Sequence, residues 1–140
     1  MSPAKVLFLC TGNSARSQMA EALLRERGEG RFEAYSAGLR PTEVHPMAIQ
    51  AMKEIGVDIS DQRAKSATEY LGGVGLGYLI TVCDRAAADC PVFPGRGERL
   101  HWSIADPAAA KGSHKERLQA FRAARDDLAR RIDAFIAEHA

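Results

Sequence analysis

Lys5-Val6-Leu7-Phe8-Leu9-Cys10-Thr11-Gly12-Asn13-Ser14-Ala15-Arg16-Ser17-Gln18-Met19-Ala20-Glu21 runs without a break from an apolar segment through a small, polar loop into a helical pattern. Val6 to Leu9 has the length of a buried strand. Cys10 closes it, Arg16 follows six positions later, and helical periodicity begins around Ser14. A strand that passes through such a loop into a helix turns successive backbone N–H groups toward one point, beside the positive end of a helix dipole. That arrangement binds a tetrahedral oxyanion, so Thr11, Gly12, Asn13, Ser14, Ala15 and Arg16 are the candidate substrate-binding residues. Arg16 adds a planar fork of donors that matches two oxygens of such an anion. A cysteine at the rim has its thiolate stabilised by the same N–H groups and becomes a nucleophile, with Ser17 placed to donate a hydrogen bond to the sulfur. The competing reading, a buried cysteine with no chemistry, leaves Arg16 and Ser17 unexplained.

Working outward, 140 residues correspond to one domain, 1–140, able to bury roughly two-thirds of its unfolded surface. Hydrophobic residues at 46% and charged residues at 26% are those of a soluble globular protein, and a formal net charge of +1 gives no field to attract nucleic acid or an anionic membrane. No apolar run has the length of a membrane-crossing helix and no leader pattern opens the chain, so a cytoplasmic location and a monomer are expected. In that compartment three cysteines are catalytic or redox-active candidates rather than structural staples.

A helix is predicted from Ser14 to about Gly28, burying Met19, Ala20, Leu23 and Leu24. A strand over Phe32–Ala37 follows, and Ser36-Ala37-Gly38 ends it with residues small enough for another backbone to approach. Pro46 opens a second helix with Ala48, Ile49, Met52 and Ile55 as its apolar stripe and Gly56 as its stop. Ser66 or Thr68 caps a short turn through Leu71. Gly72 to Gly77 is a loop without the Lys-Ser/Thr ending of a phosphate loop. Tyr78–Val82 is a third strand, nearly continuous in apolar character and therefore covered on both faces. It ends at Cys83, the strand-end position that Cys10 has on the first.

Asp84 to Asp89 form one or two helical turns before Cys90 and Pro91, and Leu100–Trp102 is a fourth strand. From Ser113 to about Glu138 runs a long helix burying Leu118, Phe121, Leu128, Ile132, Phe135 and Ile136. Its Arg117, Arg122, Arg125, Arg130 and Arg131 are interleaved with acids and read as a solvated face, not a nucleic-acid surface. His45, His101, His114 and His139 are scattered and read as structural or exposed, and Trp102 as core packing. The whole is an α/β chain with a parallel sheet. Ligands of such sheets bind beyond the carboxyl ends of the strands. Cys10 and Cys83 sit at two of those ends and Asp106 follows a third.

Cys10 can attack the central atom of a bound oxyanion while Arg16 and the loop amides hold the equatorial oxygens. Asp106 is the general acid for the leaving oxygen. If the central atom is phosphorus, water completes a phosphatase reaction that needs neither Cys83 nor Cys90. If it is reducible, like arsenic, Cys83 attacks the Cys10 adduct and forms a Cys10–Cys83 disulfide. Cys90 then attacks Cys83, and an external dithiol reduces the Cys83–Cys90 bond. Six intervening residues held as a helix would keep those two cysteines roughly 10 Å apart, beyond the roughly 7 Å that a disulfide allows between Cα atoms, so that segment loops or rearranges. A three-thiolate binder of a soft metal or metalloid is a further reading, but no Cys-x2-Cys pair or adjacent histidine supports a metal site.

The loop from Cys10 to Glu21, Thr81-Val82-Cys83-Asp84 with Cys90-Pro91, and His101-Trp102 before Asp106-Pro107 resemble the thioredoxin-coupled arsenate reductases, which share the fold of low-molecular-weight tyrosine phosphatases. The resemblance covers most of the chain in the same order. It implies a single three-layer α/β domain with a four-stranded parallel sheet flanked by helices. Arsenate would be the substrate and thioredoxin the external reductant, in arsenic detoxification. It assigns Cys10 as nucleophile, Arg16 as oxyanion binder, Cys83 and Cys90 as the relay and Asp106 as acid. Ser17-Gln18 follows the reductase pattern, where the phosphatases carry proline after the serine. Two departures stand out. Ala15 occupies the place of a second loop cysteine in many relatives. Some reductases hold potassium through residues matching Asn13, Glu21 and Ser36; here the 63–65 region offers the cationic Arg63 and Lys65 as substitutes for the ion, which puts potassium in doubt.

Overall fold

Successive side chains of a strand face opposite ways, so a strand buried at every position needs cover on both faces. That is the condition of β1 (Ala4–Cys10) from Val6 onward, where Val6, Leu7, Phe8 and Leu9 are wholly inaccessible. The computed structural model describes residues 3–70, 75–88 and 97–139. Among these, β1, β2 (Phe32–Gly38), β3 (Tyr78–Thr81) and β4 (Glu98–His101) form one parallel sheet in the order β2-β1-β3-β4. The register aligns Cys10 with Gly38, Leu9 with Thr81 and Thr81 with His101, so the carboxyl ends of all four strands share one edge.

Helix α1 (Arg16–Arg27) packs on β1 and β2 and against α4 (His114–His139), which also carries α2 (Pro46–Lys53). A five-residue α3 (Asp84–Ala88) follows β3. The predicted core side of α4 is the observed one: Leu118, Phe121, Leu128, Ile132, Phe135 and Ile136 are all buried.

Four expectations shift. Helix α1 begins at Arg16, not Ser14, because the Ser14 carbonyl is taken by the His45 N–H at 2.9 Å and Ala15 is held at φ −129°, ψ −71°. Helix α2 stops at Lys53, so its buried stripe is Met47, Ala48, Ala51 and Met52, and Ile55 is left exposed in the turn before Gly56 at φ +79°. β4 lies two residues earlier in part, at Glu98–His101; as an edge strand with exposed Glu98 and Arg99 it has no apolar alternation to reveal it. The arginines of α4 are not all solvated: Arg125 is 9% exposed and donates to the Ala51 carbonyl and to Glu54, which Arg122 also grips with two nitrogens. They tie α4 to the end of α2. Ser66 caps the turn Ala67–Tyr70 through its hydroxyl, while Leu71 and Gly72–Val74 lie outside the described residues.

Candidate active site

The loop after β1 is shaped from outside. Leu39, Arg40, Thr42 and His45 N–H groups donate to the carbonyls of Cys10, Thr11, Gly12 and Ser14 at 2.8–3.1 Å. Gln18 Nε2 takes the Asn13 carbonyl and the Met19 N–H takes that of Ala15. All six carbonyls from Cys10 to Ala15 are therefore engaged. A trans peptide points its N–H opposite to its C=O, so the six N–H groups from Thr11 to Arg16 are directed the other way. The Asn13 N–H reports this directly, donating to Cys10 Sγ at 3.2 Å. No side chain caps α1, leaving its first-turn donors for an anion.

Two features let the loop close this tightly. Asn13 sits at φ +49°, a left-handed conformation that asparagine tolerates better than most residues. Gly38 lies so near that a Cβ there would meet the Thr11 carbonyl at 2.7 Å and the Asn13 nitrogen at 2.8 Å. The small residue expected at the end of β2 is therefore a requirement of the loop.

Beneath the loop is a polar network without exposure. Ser17 Oγ lies 2.7 Å from Cys10 Sγ and accepts from Asn13 Nδ2 at 2.8 Å. Asn13 Oδ1 accepts from the Lys65 N–H, and Gln18 joins Asn13 to Arg63 and Gln62. Asn13, Ser17 and Gln18 are all 0% exposed. Behind them Lys65 Nζ donates to the Arg63 carbonyl at 3.0 Å, to Ser36 Oγ at 3.3 Å and to Glu21 Oε1 at 3.4 Å, while Ser36 donates to Glu21 at 2.6 Å. Sequence reading found Cys10, Ser17 and Asn13 as site residues and Gln18 only as part of the reductase-like Ser17-Gln18 pair; it missed Gln62, a loop residue with no local signal.

Beyond the loop a cleft of about 470 Å³ is lined by Thr11, Arg16, Cys83, Ser103, Ile104 and Asp106. Arg16 is anchored by the Ile104 carbonyl at 3.0 Å, with Asp106 Oδ2 at 3.9 Å from its second nitrogen. Asp106, the expected general acid, is 47% exposed at its side chain and accepts from the Ala108 N–H. Cys83 is buried at the end of β3. Its sulfur accepts from the Ala86 N–H at 3.3 Å and lies 3.4 Å from Thr11 Oγ1. The structure thus brings together Cys10, Thr11, Arg16, Cys83 and Asp106; Cys90 lies outside the described residues.

The histidines fall largely as expected. His45 caps α2 and stacks on Phe121, and its pKa is lowered by burial and by Arg117. His139 bonds the Tyr78 hydroxyl. His101 differs, because it belongs to the cleft through Asp84, whose carboxyl is held below its usual range by hydrogen bonds from His101 and Ser103. Among the described residues no three His, Cys, Asp or Glu side chains gather to hold a metal, and no helix is long and apolar enough to cross a membrane.

The family model for low molecular weight phosphotyrosine protein phosphatases matches residues 5–139. An arsenate reductase of Halalkalibacterium halodurans is 43% identical over 136 residues, 96% of each chain. Among solved structures, an arsenate reductase in a phosphate-binding state superposes with a TM-score of 0.84 at 31% identity, covering 98% of this chain and 99% of that one. A thioredoxin-dependent arsenate reductase of Corynebacterium glutamicum gives a TM-score of 0.64 at 28% identity, covering 95% of this chain and 63% of that one.

Proposed function

From the premise that the chain belongs to the low molecular weight phosphotyrosine protein phosphatase family, and is an enzyme of its arsenate reductase branch, we propose that it turns arsenate into arsenite by a three-cysteine relay that thioredoxin resets. The observation that carries this reading is the placement of a second buried sulfur, Cys83, at the neighbouring strand end and 3.4 Å from Thr11 of the oxyanion loop. A phosphatase has no use for it.

Arsenate sits against the N–H groups of residues 11–16 with two oxygens on Arg16. The Cys10 thiolate attacks arsenic, and an arsenate oxygen leaves as water with a proton from Asp106. Cys83 thiolate then attacks Cys10 Sγ. The new S–S bond replaces the S–As bond, whose electron pair stays on arsenic, so As(V) leaves as arsenite. Cys90 attacks Cys83, freeing the Cys10 thiolate, and the Cys83–Cys90 disulfide takes two electrons from a thioredoxin dithiol. The protein acts as a monomer, in the cytoplasm. Potassium is not required, because the Lys65 ammonium lies against Glu21 and Ser36. Hydrolysis of phosphate esters accompanies the main activity, since Cys10, Arg16 and Asp106 suffice for it.

Arsenate-dependent NADPH oxidation with thioredoxin and thioredoxin reductase, run on the wild type and on each single Cys→Ser variant, tests the proposal. Continuous turnover by Cys83→Ser would overturn it.

A further inference from the structure

Helix α3 has five residues, too few to hold itself together without outside contacts. At its first residue, one carboxylate oxygen of Asp84 accepts from His101 Nε2 at 2.9 Å and from Ser103 Oγ at 3.0 Å. With Nε2 as donor, the other ring nitrogen of His101 accepts from the Thr81 hydroxyl at 2.7 Å. The chain Thr81–His101–Asp84–Ser103 thus stitches the start of α3 to the ends of β3 and β4. It is exposed, with 80% of the Asp84 and 37% of the His101 side chain accessible, so it adds little to global stability. What it fixes is direction. A carboxylate one residue from a thiol opposes thiolate formation when turned toward it, and here it is bound to β4 and to the segment after it. Cys83 meanwhile stays 3% exposed, under the Ala86 N–H and beside Thr11.

We propose that Asp84, clasped by His101 and Ser103, is a positioning residue for Cys83: it holds the second sulfur buried against Thr11, where it can reach Cys10. This rests on the relay proposed above.

The test compares Asp84→Ala, which removes the clasp, with Asp84→Asn, which keeps both acceptor bonds without the charge. In reduced protein, alkylation of each cysteine is followed by mass spectrometry. In a single turnover with arsenate, formation of the Cys10–Cys83 disulfide is timed in a Cys90→Ser background, and alkylation of Cys10 serves as the measure of that thiol alone. For Asp84→Ala we expect disulfide formation about tenfold slower, Cys83 alkylation about fivefold faster, Cys10 alkylation within about twofold, and an unchanged melting temperature. Asp84→Asn should stay within about twofold of wild type throughout. Wild-type Cys83 alkylation in Asp84→Ala, or equal losses in the Ala and Asn variants, would overturn the clasp. Should the wild-type background form no disulfide with arsenate, the relay fails instead, and the clasp is still judged by the alkylation rates.

Discussion

The two sulfur-bearing turns begin alike and end differently. Cys10 closes β1 and Cys83 lies two residues past the end of the neighbouring parallel β3, and each sulfur accepts the N–H three residues on, from Asn13 at 3.2 Å and Ala86 at 3.3 Å. Around Cys10 the supports are buried and redundant: six engaged carbonyls, Asn13, Ser17 and Gln18 without exposure, and a twelve-residue helix behind. Around Cys83 they are a five-residue helix and an exposed clasp. The contrast separates two duties. The first sulfur meets an anion whose geometry never changes, so a stiff frame serves it. In the proposed relay the second forms one disulfide and then another, which suits a frame held by bonds that water can replace at little cost.

The sharpest way to break the comparison is to remove each sulfur. Cys10→Ser should lower both arsenate reduction and ester hydrolysis by more than about 10⁴-fold, whereas Cys83→Ser should abolish repeated arsenate turnover and leave ester hydrolysis within about twofold. Steady-state assays of both reactions distinguish the two. Next in size is Arg16→Lys, which keeps the charge but loses the fork; a fall of about 10²-fold in kcat/KM for both reactions is expected.

The stiffness of the first turn is then tested from behind. Lys65→Met leaves the Glu21 carboxylate buried with less compensation, and should destabilise the fold by about 3 kcal/mol in urea titrations. Added potassium should restore part of that loss in the variant and do nothing for the wild type. Gly38→Ala forces the loop outward and should cost about 2 kcal/mol, with a weaker phosphate affinity by isothermal titration.

The smallest effect lies far from both turns. Glu54 is held at about 2, chiefly by its hydrogen bond from Arg122. A carboxyl depressed in the folded state contributes stability above its unfolded value of 4.5 that is lost as pH falls toward 2. Glu54→Gln should therefore be less stable than wild type at neutral pH and converge with it across that acid window in thermal melts. Neither turn's activity should change.

The turn after Cys10 was legible because its geometry is local: an apolar run, a cysteine and an arginine six places on can be read from adjacent letters. The core side of α4 was legible for a similar reason, since its apolar residues keep helical period. What failed depends on distant partners. Arg125 and Arg122 read as solvated until Glu54, about seventy positions earlier, closes on them. Gln18 and Gln62 look like surface residues until they meet around Asn13. Asp84, His101 and Ser103 carry no motif; only the register that sets Thr81 beside His101 brings them together. Cys90 stays where sequence alone left it.

Trp102, the one tryptophan in the chain, follows His101 directly and precedes Ser103. Its ring lies 5.9 Å from that of Phe8 in the sheet centre and 6.2 Å from that of Phe135. An indole packed on β1 and α4, one residue from both His101 and Ser103, is a built-in optical gauge. Its emission in stopped flow should change when arsenate meets the reduced, unlabelled protein.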